Sequence, residues 1–463
     1  MYQIDFHTPI HVHFIGIGGI SMSGLAEILL REGFTVSGSD AAKTALTEHL
    51  TALGASVSYG QCAENILRQK NIGAVVYTAA IRPDNPEYAA AKTAGLPMLS
   101  RAELLGQIMR NYRTAVAVAG THGKTTTTSM LATVLLVAET DPTVSLGGIL
   151  PAIGGNIRVG HSDTFLTEAC EYTNSYLSFC PTVSIILNIE EDHMDFFRDL
   201  ADIRSSFRRF AQLLPADGLL ILNAQIEHPE EITDVVRARV VTFGLTGEED
   251  YSAEPNSITF DPHGCASFLL LHQGKQVGPV RLNVPGLHNV SNALAALAAA
   301  LELGISFDTA AAGLSSFHGT ERRFQYKGQV DGVTVIDDYA HHPTEIRATL
   351  TAAAHYPHRE IWCVFQPHTY TRTQAFLKEF AQALSLADHV VLADIYAARE
   401  QNTIGVSSLD LLRELEALGT DCRYFPSFNE IEKFLSEKYA PGDLLITMGA
   451  GNVLEIGEKL LSR

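Results

Sequence analysis

Cysteine is scarce in this chain, cations are outnumbered, and long apolar runs are missing. Six cysteines (Cys62, Cys170, Cys180, Cys265, Cys363 and Cys422) are scattered over 463 residues without a Cys-X-X-Cys pair. That scatter argues against a disulfide framework or a zinc site. Lysine and arginine total 33 against 52 acidic residues, a net charge of −19, which argues against nucleic acid or an anionic membrane as partner. A few local cations and N–H groups can still hold an anionic small ligand. No apolar run approaches the roughly 20 residues of a membrane-spanning helix. The first Lys or Arg is Arg31, which leaves no basic region for a signal peptide. The expected location is the cytoplasm, as a monomer or weak homodimer. Low-complexity tracts and short repeats are absent as well. The length predicts about three domains, each able to bury a core.

What is present begins with Gly120-Thr121-His122-Gly123-Lys124-Thr125-Thr126. It follows Thr114 to Ala119, an unbroken run of small and β-branched residues that reads as a buried strand. The helix-compatible segment Thr127 to Leu136 comes next. Strand, glycine-rich turn, Lys-Thr and helix form a phosphate-binding loop, with backbone N–H groups facing phosphates and Lys124 reaching the β/γ oxygens. A hydroxyl takes one Mg²⁺ position. Counted from Gly120 the loop is one spacer residue shorter than the common G-x-x-x-x-G-K-[ST] form. ATP is the expected cosubstrate.

Three α/β units are predicted: 1–109, 110–317 and 318–463. In the first, a strand at His11–Ile15, a turn at Gly16-Ile17-Gly18-Gly19, a helix from Ser21 to Glu32 and a strand from Phe34 to Ser39 ending in Asp40 form a dinucleotide-type βαβ unit. Ser21 stands where the third glycine of G-x-G-x-x-G belongs. Taken alone, this turn fits NAD, as in a nicotinamide-dependent oxidoreductase, another nucleotide's diphosphate, or a close-packed turn. In the second unit, strands are expected at Thr164–Thr167, Val183–Leu187 and Leu219–Leu222, with an Ala-rich buried helix at Asn292–Leu303. In the third, strands at Val333–Ile336, Ile361–Phe365, Val390–Ala393 and Leu444–Thr447 predict a mostly parallel sheet.

Chemistry-bearing residues cluster just past several of these strands. Glu168-Ala169-Cys170-Glu171 and Asn188 to Asp195 could both face Lys124, because strand C-termini line one edge of a parallel sheet. Glu168 is a hard-oxygen ligand suited to Mg²⁺, whereas the His193 imidazole suits softer metals. A solvated strand-to-helix loop explains the same acids equally well. Asp337-Asp338-Tyr339-Ala340-His341-His342-Pro343 fits a helix cap with proline at the first helical position, yet carries more titratable groups than a cap requires. In Gln366 to Thr373, Arg372 is a candidate clamp for a carboxylate or phosphate.

In combination these blocks resemble the Mur ligases, ATP-dependent amide-forming enzymes of peptidoglycan precursor synthesis. The matching segments are Gly16 to Gly24, Gly120 to Thr127, Asn188 to Asp195, His288-Asn289 with Asn292, Arg322-Arg323-Phe324, Asp337 to Pro343, and Gln366 to Thr373. The resemblance implies an N-terminal Rossmann-like UDP-binding domain, a central ATP-binding domain and a C-terminal Rossmann-like domain for the amino acid. It implies that Gly16, Gly18, Gly19, Ser21, Ser23 and Asp40 hold the UDP-sugar, and that Gly120 to Thr126 hold ATP phosphates. Thr125 and Glu168 would bind one Mg²⁺ and His193 a second ion, with Mn²⁺ as a substitute. His288 and Asn292 would contact adenine and Asp338 the ribose, with Arg323 in the nucleotide set. Tyr339, His341 and Arg372 would position the amino acid.

Substrates implied are UDP-N-acetylmuramic acid and L-alanine, with a tripeptide-recycling ligase as the alternative. No lysine lies between Lys124 and Lys275, unlike the branches with a carbamylated lysine and like the alanine-adding branch. The family commonly has Glu-Ala-Asp-Glu-Ser-Asp where this chain has Glu168-Ala169-Cys170-Glu171-Tyr172-Thr173, and arginine where Thr369 stands.

Overall fold

The computed structural model describes residues 2–78, 81–398 and 400–462. Three sheets follow one another along the chain. The first is all parallel, in the order Ser56–Tyr59, Thr35–Asp40, His11–Ile15, Ile72–Tyr77, Met98–Ser100. The third runs Gln325–Val330, Val333–Asp338, Leu444–Met448, Ile361–Phe365, His389–Leu392, Asp421–Tyr424, and only its first pair is antiparallel.

The central sheet is built around Thr114–Ala119, which pairs in parallel with both Thr164–Ala169 and Val183–Ile186. Register aligns Ala119 with Ala169 and with Ile186. The loops that leave these strands, at Gly120, Cys170 and Leu187, therefore open side by side. That is the expected behaviour of parallel strand ends, and it sets up the candidate site.

Helix Lys124–Val137 follows the phosphate loop and is buried on nearly every face. It packs against the Ala-rich helix Leu287–Glu302, whose short side chains allow close approach. Gly123 caps it with φ 82°, in the left-handed region where a Cβ is costly. A Cβ there would also lie 2.6 Å from Asn292 Oδ1. The helix starts three residues earlier than its composition suggests, because the turn at Gly123 fixes its entry.

The central sheet extends further than the sequence indicated. Beyond Arg239–Gly244 lie Tyr251–Ala253, Cys265–His272 and Lys275–Pro285, the last two an antiparallel hairpin with His272 opposite Lys275. Its turn residues, Gln273 and Gly274, both have positive φ. Gln-Gly is a weaker turn signal than Asn-Gly, so the hairpin was not foreseen. The first helix runs Ile20–Arg31, one residue earlier than expected at each end.

The first and central units meet where helix Arg101–Met109 packs on the turn Tyr172–Ser178. Gly106 makes this possible, since a Cβ on it would sit 1.9 Å from the Ser178 carbonyl oxygen. Gly106→Ala is expected to destabilise the protein by about 1–3 kcal/mol through overpacking. A denaturant midpoint equal to the parent's would show that the helix shifts without cost.

Candidate functional site

The phosphate loop is held by the segment after Val183–Ile186. Asn188 Oδ1 accepts from the His122 N–H at 2.8 Å, and its Nδ2 donates to the His122 carbonyl at 3.1 Å. The Thr121 hydroxyl accepts from the Glu190 N–H at 2.9 Å. Lys124 Nζ donates to the carbonyls of Gly120 (2.5 Å) and Thr121 (3.0 Å) and to Glu171 (3.0 Å). Burial opposes the lysine's charge, but Glu171 outweighs it and raises the pKa well above the ordinary range. Lys124 is therefore a fixed cation at the helix N-terminus, where an anion is already favoured.

Beside it, Thr125 Oγ1 donates to Glu168 Oε2 at 2.9 Å, and Glu168 Oε1 accepts from the Gly147 N–H at 2.6 Å. A hydroxyl and a carboxylate in contact at the phosphate loop are hard oxygen donors and fit Mg²⁺. His193 lies on the other side of Glu171, with Nε2 3.7 Å from Glu171 Oε1, against the Tyr172 ring. Its backbone φ of 54° is unusual for a residue of this type.

Two cavities adjoin this core. One is lined by His122, Gly123, Thr126, His288, Asn292, Arg323 and Asp338, so seven of the predicted nucleotide residues share one pocket. Asp338 is braced by the N–H groups of Phe324 (2.8 Å) and Ala340 (2.7 Å), and burial raises its pKa to about 6. Asn292 joins the helix that carries it to the loop, accepting from Thr127 Oγ1 at 3.2 Å.

The second cavity, about 1140 Å³, lies where all three units converge. Tyr77 and Arg101 come from the first unit, Cys170, Tyr172, Asp192 and His193 from the second, and Tyr339, His341 and Arg372 from the third. Arg372 is largely buried and bonds Asp192 Oδ1 through Nη2 (2.8 Å) and Nε (3.2 Å). Burial alone would raise the Asp192 pKa, but Arg372 and then His193 hold it well below the carboxylate range. His341 is fixed by its ring contact to the Tyr339 carbonyl (3.0 Å) and by its N–H bond to Glu345 (3.1 Å). The His342-Pro343 segment also caps helix Pro343–Ala353, so the capping reading of that block holds alongside any other role.

Gly16, Gly18, Gly19, Ser21, Ser23 and Asp40 gather at the C-terminal ends of the first sheet's inner strands and do not line this cavity. Asp40 accepts from the Gly18 N–H at 2.8 Å, and Ser23 turns its hydroxyl to the Ile20 carbonyl. Both side chains support the turn through local bonds. Ser21 remains exposed.

Three family models cover the chain in order. "Mur ligase family, catalytic domain" matches residues 11–113, "Mur ligase middle domain" 118–300, and "Mur ligase, glutamate ligase domain" 322–451. A UDP-N-acetylmuramate–L-alanine ligase of Agathobacter rectalis is 61% identical over 463 residues, covering 100% of both chains. The chain belongs to the Mur ligase family. Its fold superposes on the crystal structure of a UDP-N-acetylmuramate–alanine ligase from Thermotoga maritima with TM-score 0.80 and 30% identity, over 98% of this chain and 99% of that one. A murein peptide ligase from Psychrobacter arcticus follows at TM-score 0.71 and 26% identity, with 98% of each chain covered.

Two residues of this Mur ligase escaped the sequence reading. Glu171 was seen only as part of an acidic run, yet it bonds Lys124. Arg101 lines the three-domain cavity and, among the described residues, makes no ion pair. Burial lowers its pKa, but it remains a cation. Its only sequence signal was a position directly after a short strand.

Four histidines around the two cavities share an electrostatic property. Burial lowers the pKa of His288, His341, His342 and His368 to about 4, with smaller contributions from Arg323, Arg372, His122 and Arg372 respectively. A depressed folded pKa gives stability that is present above the unfolded value near 6.5 and is lost as pH falls toward 4. Asp338, raised to about 6, Asp337 and His122 work in the opposite direction, but most of the His122 effect falls above pH 6.5, which leaves two carboxyls against four imidazoles in this window. The melting temperature should therefore fall between pH 6.5 and pH 4.5. A flat or rising profile would contradict the burial assigned to these rings.

Proposed function

We propose that this protein is an ATP-dependent ligase joining L-alanine to the lactyl carboxylate of UDP-N-acetylmuramic acid, with release of ADP and phosphate. The observation that carries the reading is the convergence of three units on one cavity. A fixed phosphate-loop lysine connects through Glu171 to its lining residue His193, and a buried arginine lines it. Full-length identity of 61% to a UDP-N-acetylmuramate–L-alanine ligase supports the same substrates.

In this reading the first domain takes the UDP-sugar on the turn around Gly18, the central domain takes ATP, and the third presents the amino acid. The lactyl carboxylate attacks the γ-phosphorus, ADP leaves, and an acyl phosphate remains. The alanine amine then attacks the acyl carbon, and inorganic phosphate departs. Lys124 neutralises the β/γ oxygens while the loop N–H groups orient them. Arg101 offers a second cation to the anionic sugar substrate. Arg372 holds the amino-acid carboxylate, sharing its guanidinium with Asp192. His341 and His368 are neutral at physiological pH, so neither repels the incoming ammonium group. Thr125 and Glu168 would hold one Mg²⁺, and His193 with Glu171 a second ion. Such ions supply charge neutralisation between two anionic reactants. Enclosure by three domains keeps water from the acyl phosphate.

Phosphate release from ATP should require both UDP-N-acetylmuramic acid and L-alanine, with L-Ala-γ-D-Glu-meso-diaminopimelate inert as acceptor. Release with the tripeptide alone would replace this reading by a recycling ligase. Lys124→Ala should lower kcat by at least about 10³-fold while UDP-sugar binding by the first domain survives. Collapse of that binding would separate the lysine from the role given to it. Arg372→Ala should raise the KM for alanine by about 10–100-fold, the worth of a charge-assisted pair of bonds. An unchanged KM would remove Arg372 from the amino-acid site.

A further inference from the structure

Three donor side chains from three separate segments meet beside the phosphate loop. His122 belongs to the loop, Glu190 follows strand Val183–Ile186, and His342 caps helix Pro343–Ala353 of the C-terminal domain. One ligand atom from each lies within 4.8 Å of the others. The Nε2 atoms of both histidines are buried without a hydrogen-bond partner, and the two rings are 4.7 Å apart. His342 is only 5% exposed. Neither nitrogen is satisfied where it stands: Glu190 Oε2 is 3.6 Å from His122 Nε2, beyond hydrogen-bonding reach, and His342 Nε2 carries its ring's proton, with no acceptor, while Nδ1 accepts from the Thr344 N–H.

The groups behind these donors are those a metal site uses. His122 turns its other nitrogen, Nδ1, toward Glu345 Oε1 at 3.4 Å, the carboxylate–histidine arrangement that orients a metal-bound imidazole. Thr344 Oγ1 donates to Glu190 Oε2 at 2.8 Å and fixes the carboxylate. We propose that His122, Glu190 and His342 form a binding site for a divalent transition ion such as Zn²⁺, Co²⁺ or Ni²⁺, which ties the phosphate loop to the C-terminal domain and inhibits turnover.

Two imidazoles and one carboxylate suit these ions and not Mg²⁺. The site shares no residue with Thr125, Glu168 or His193. The cysteine pattern argued against zinc, but histidine and glutamate from distant segments escape that test. A tetrahedral ion with bonds of about 2 Å needs donors about 3.4 Å apart, so the three must close by up to about 1.4 Å. Binding through His342 Nε2 shifts its ring proton to Nδ1, which costs only a long 3.4 Å cap contact with the Thr344 N–H. Glu190 and Glu345 flank the two nitrogens of the His122 ring at 3.6 and 3.4 Å, and two carboxylates so placed would attract a dication. His122 and Glu190 sit in the central domain and His342 in the C-terminal one, so an occupied site resists domain opening. Inhibition rests on the ligase reading, whereas binding does not.

Co²⁺ is the probe, added to the full-length protein without nucleotide and followed by visible absorption. One Co²⁺ per chain should give the intense bands of a low-coordinate site. Glu190→Gln, which keeps the Thr344 bond, and His342→Asn, which keeps the helix cap, should each weaken binding at least about tenfold. His193→Ala should leave the bands intact. Stoichiometric Zn²⁺ should slow phosphate release by the wild type, and both variants should resist it relative to their own zinc-free rates. Absent bands, bands that survive both substitutions, or bands lost in His193→Ala would each overturn the site while leaving the ligase reading standing. Binding without inhibition would overturn the clamp.

Discussion

A lysine ammonium enclosed by protein needs a counter-charge, and the arrangement around Lys124 follows from that requirement. Two loop carbonyls and the Glu171 carboxylate surround it. Removing a charge from water costs several kcal/mol, which only a partner in good geometry offsets. Glu171 supplies it because strand Thr164–Ala169 runs parallel to Thr114–Ala119 and ends level with it. The order of strands in the central sheet and the charge balance of the phosphate loop are thus one fact. Were the neighbouring strand antiparallel, its opposite end would face the loop and Lys124 would lack its anion.

The two junctions between domains are of different kinds. The first domain meets the central one through close packing, with Gly106 against the backbone of Ser178. The C-terminal domain meets it through charge and hydrogen bonds at the candidate site, Arg372 with Asp192, His122 with Glu345 and Thr344 with Glu190, and through ring contacts of Phe260 with His355 and His263 with Tyr356 elsewhere. Packing complementarity is lost steeply with small displacements. A polar seam can exchange its partners for water or for anionic ligands as it opens. The C-terminal junction is accordingly the more polar one, and it adjoins the candidate site.

Much of the frame was legible in the sequence because it depends on local signals. Thr114–Ala119 and Ile361–Phe365 are short apolar runs bounded by turns, and each is a buried parallel strand. Gly120 and Gly123 marked a turn with positive φ, as both have. The hairpin at Gln273-Gly274 was not legible, since its strands lie on the sheet's far edge and its turn residues are weak signals. Site residues divide in the same way. Lys124 opens the helix that follows a strand, Glu168 lies near a strand's C-terminal end and His193 in the loop beyond one, where position alone suggests function. Glu171 takes its importance from a partner across the fold and Arg101 from the cavity it lines, while Asp40 and Ser23 are engaged by bonds to their own turn and helix that residue type does not reveal.

The charges of the site form a continuous series. Lys124 contacts Glu171, Glu171 faces His193, His193 adjoins Asp192 in the chain, and Asp192 holds Arg372. Cations and anions alternate from the phosphate end to the amino-acid end when His193 carries a proton or a metal ion. Three cations then outnumber two carboxylates, so an anion arriving at either terminus meets a net positive set in which each end cation already has a resident carboxylate. In the proposed ligase reading a phosphate at Lys124 would compete with Glu171, and an amino-acid carboxylate at Arg372 with Asp192. Asp192 and His193 are consecutive residues, so one short segment, with a left-handed turn at His193, carries both the partner of Arg372 and the neighbour of Glu171.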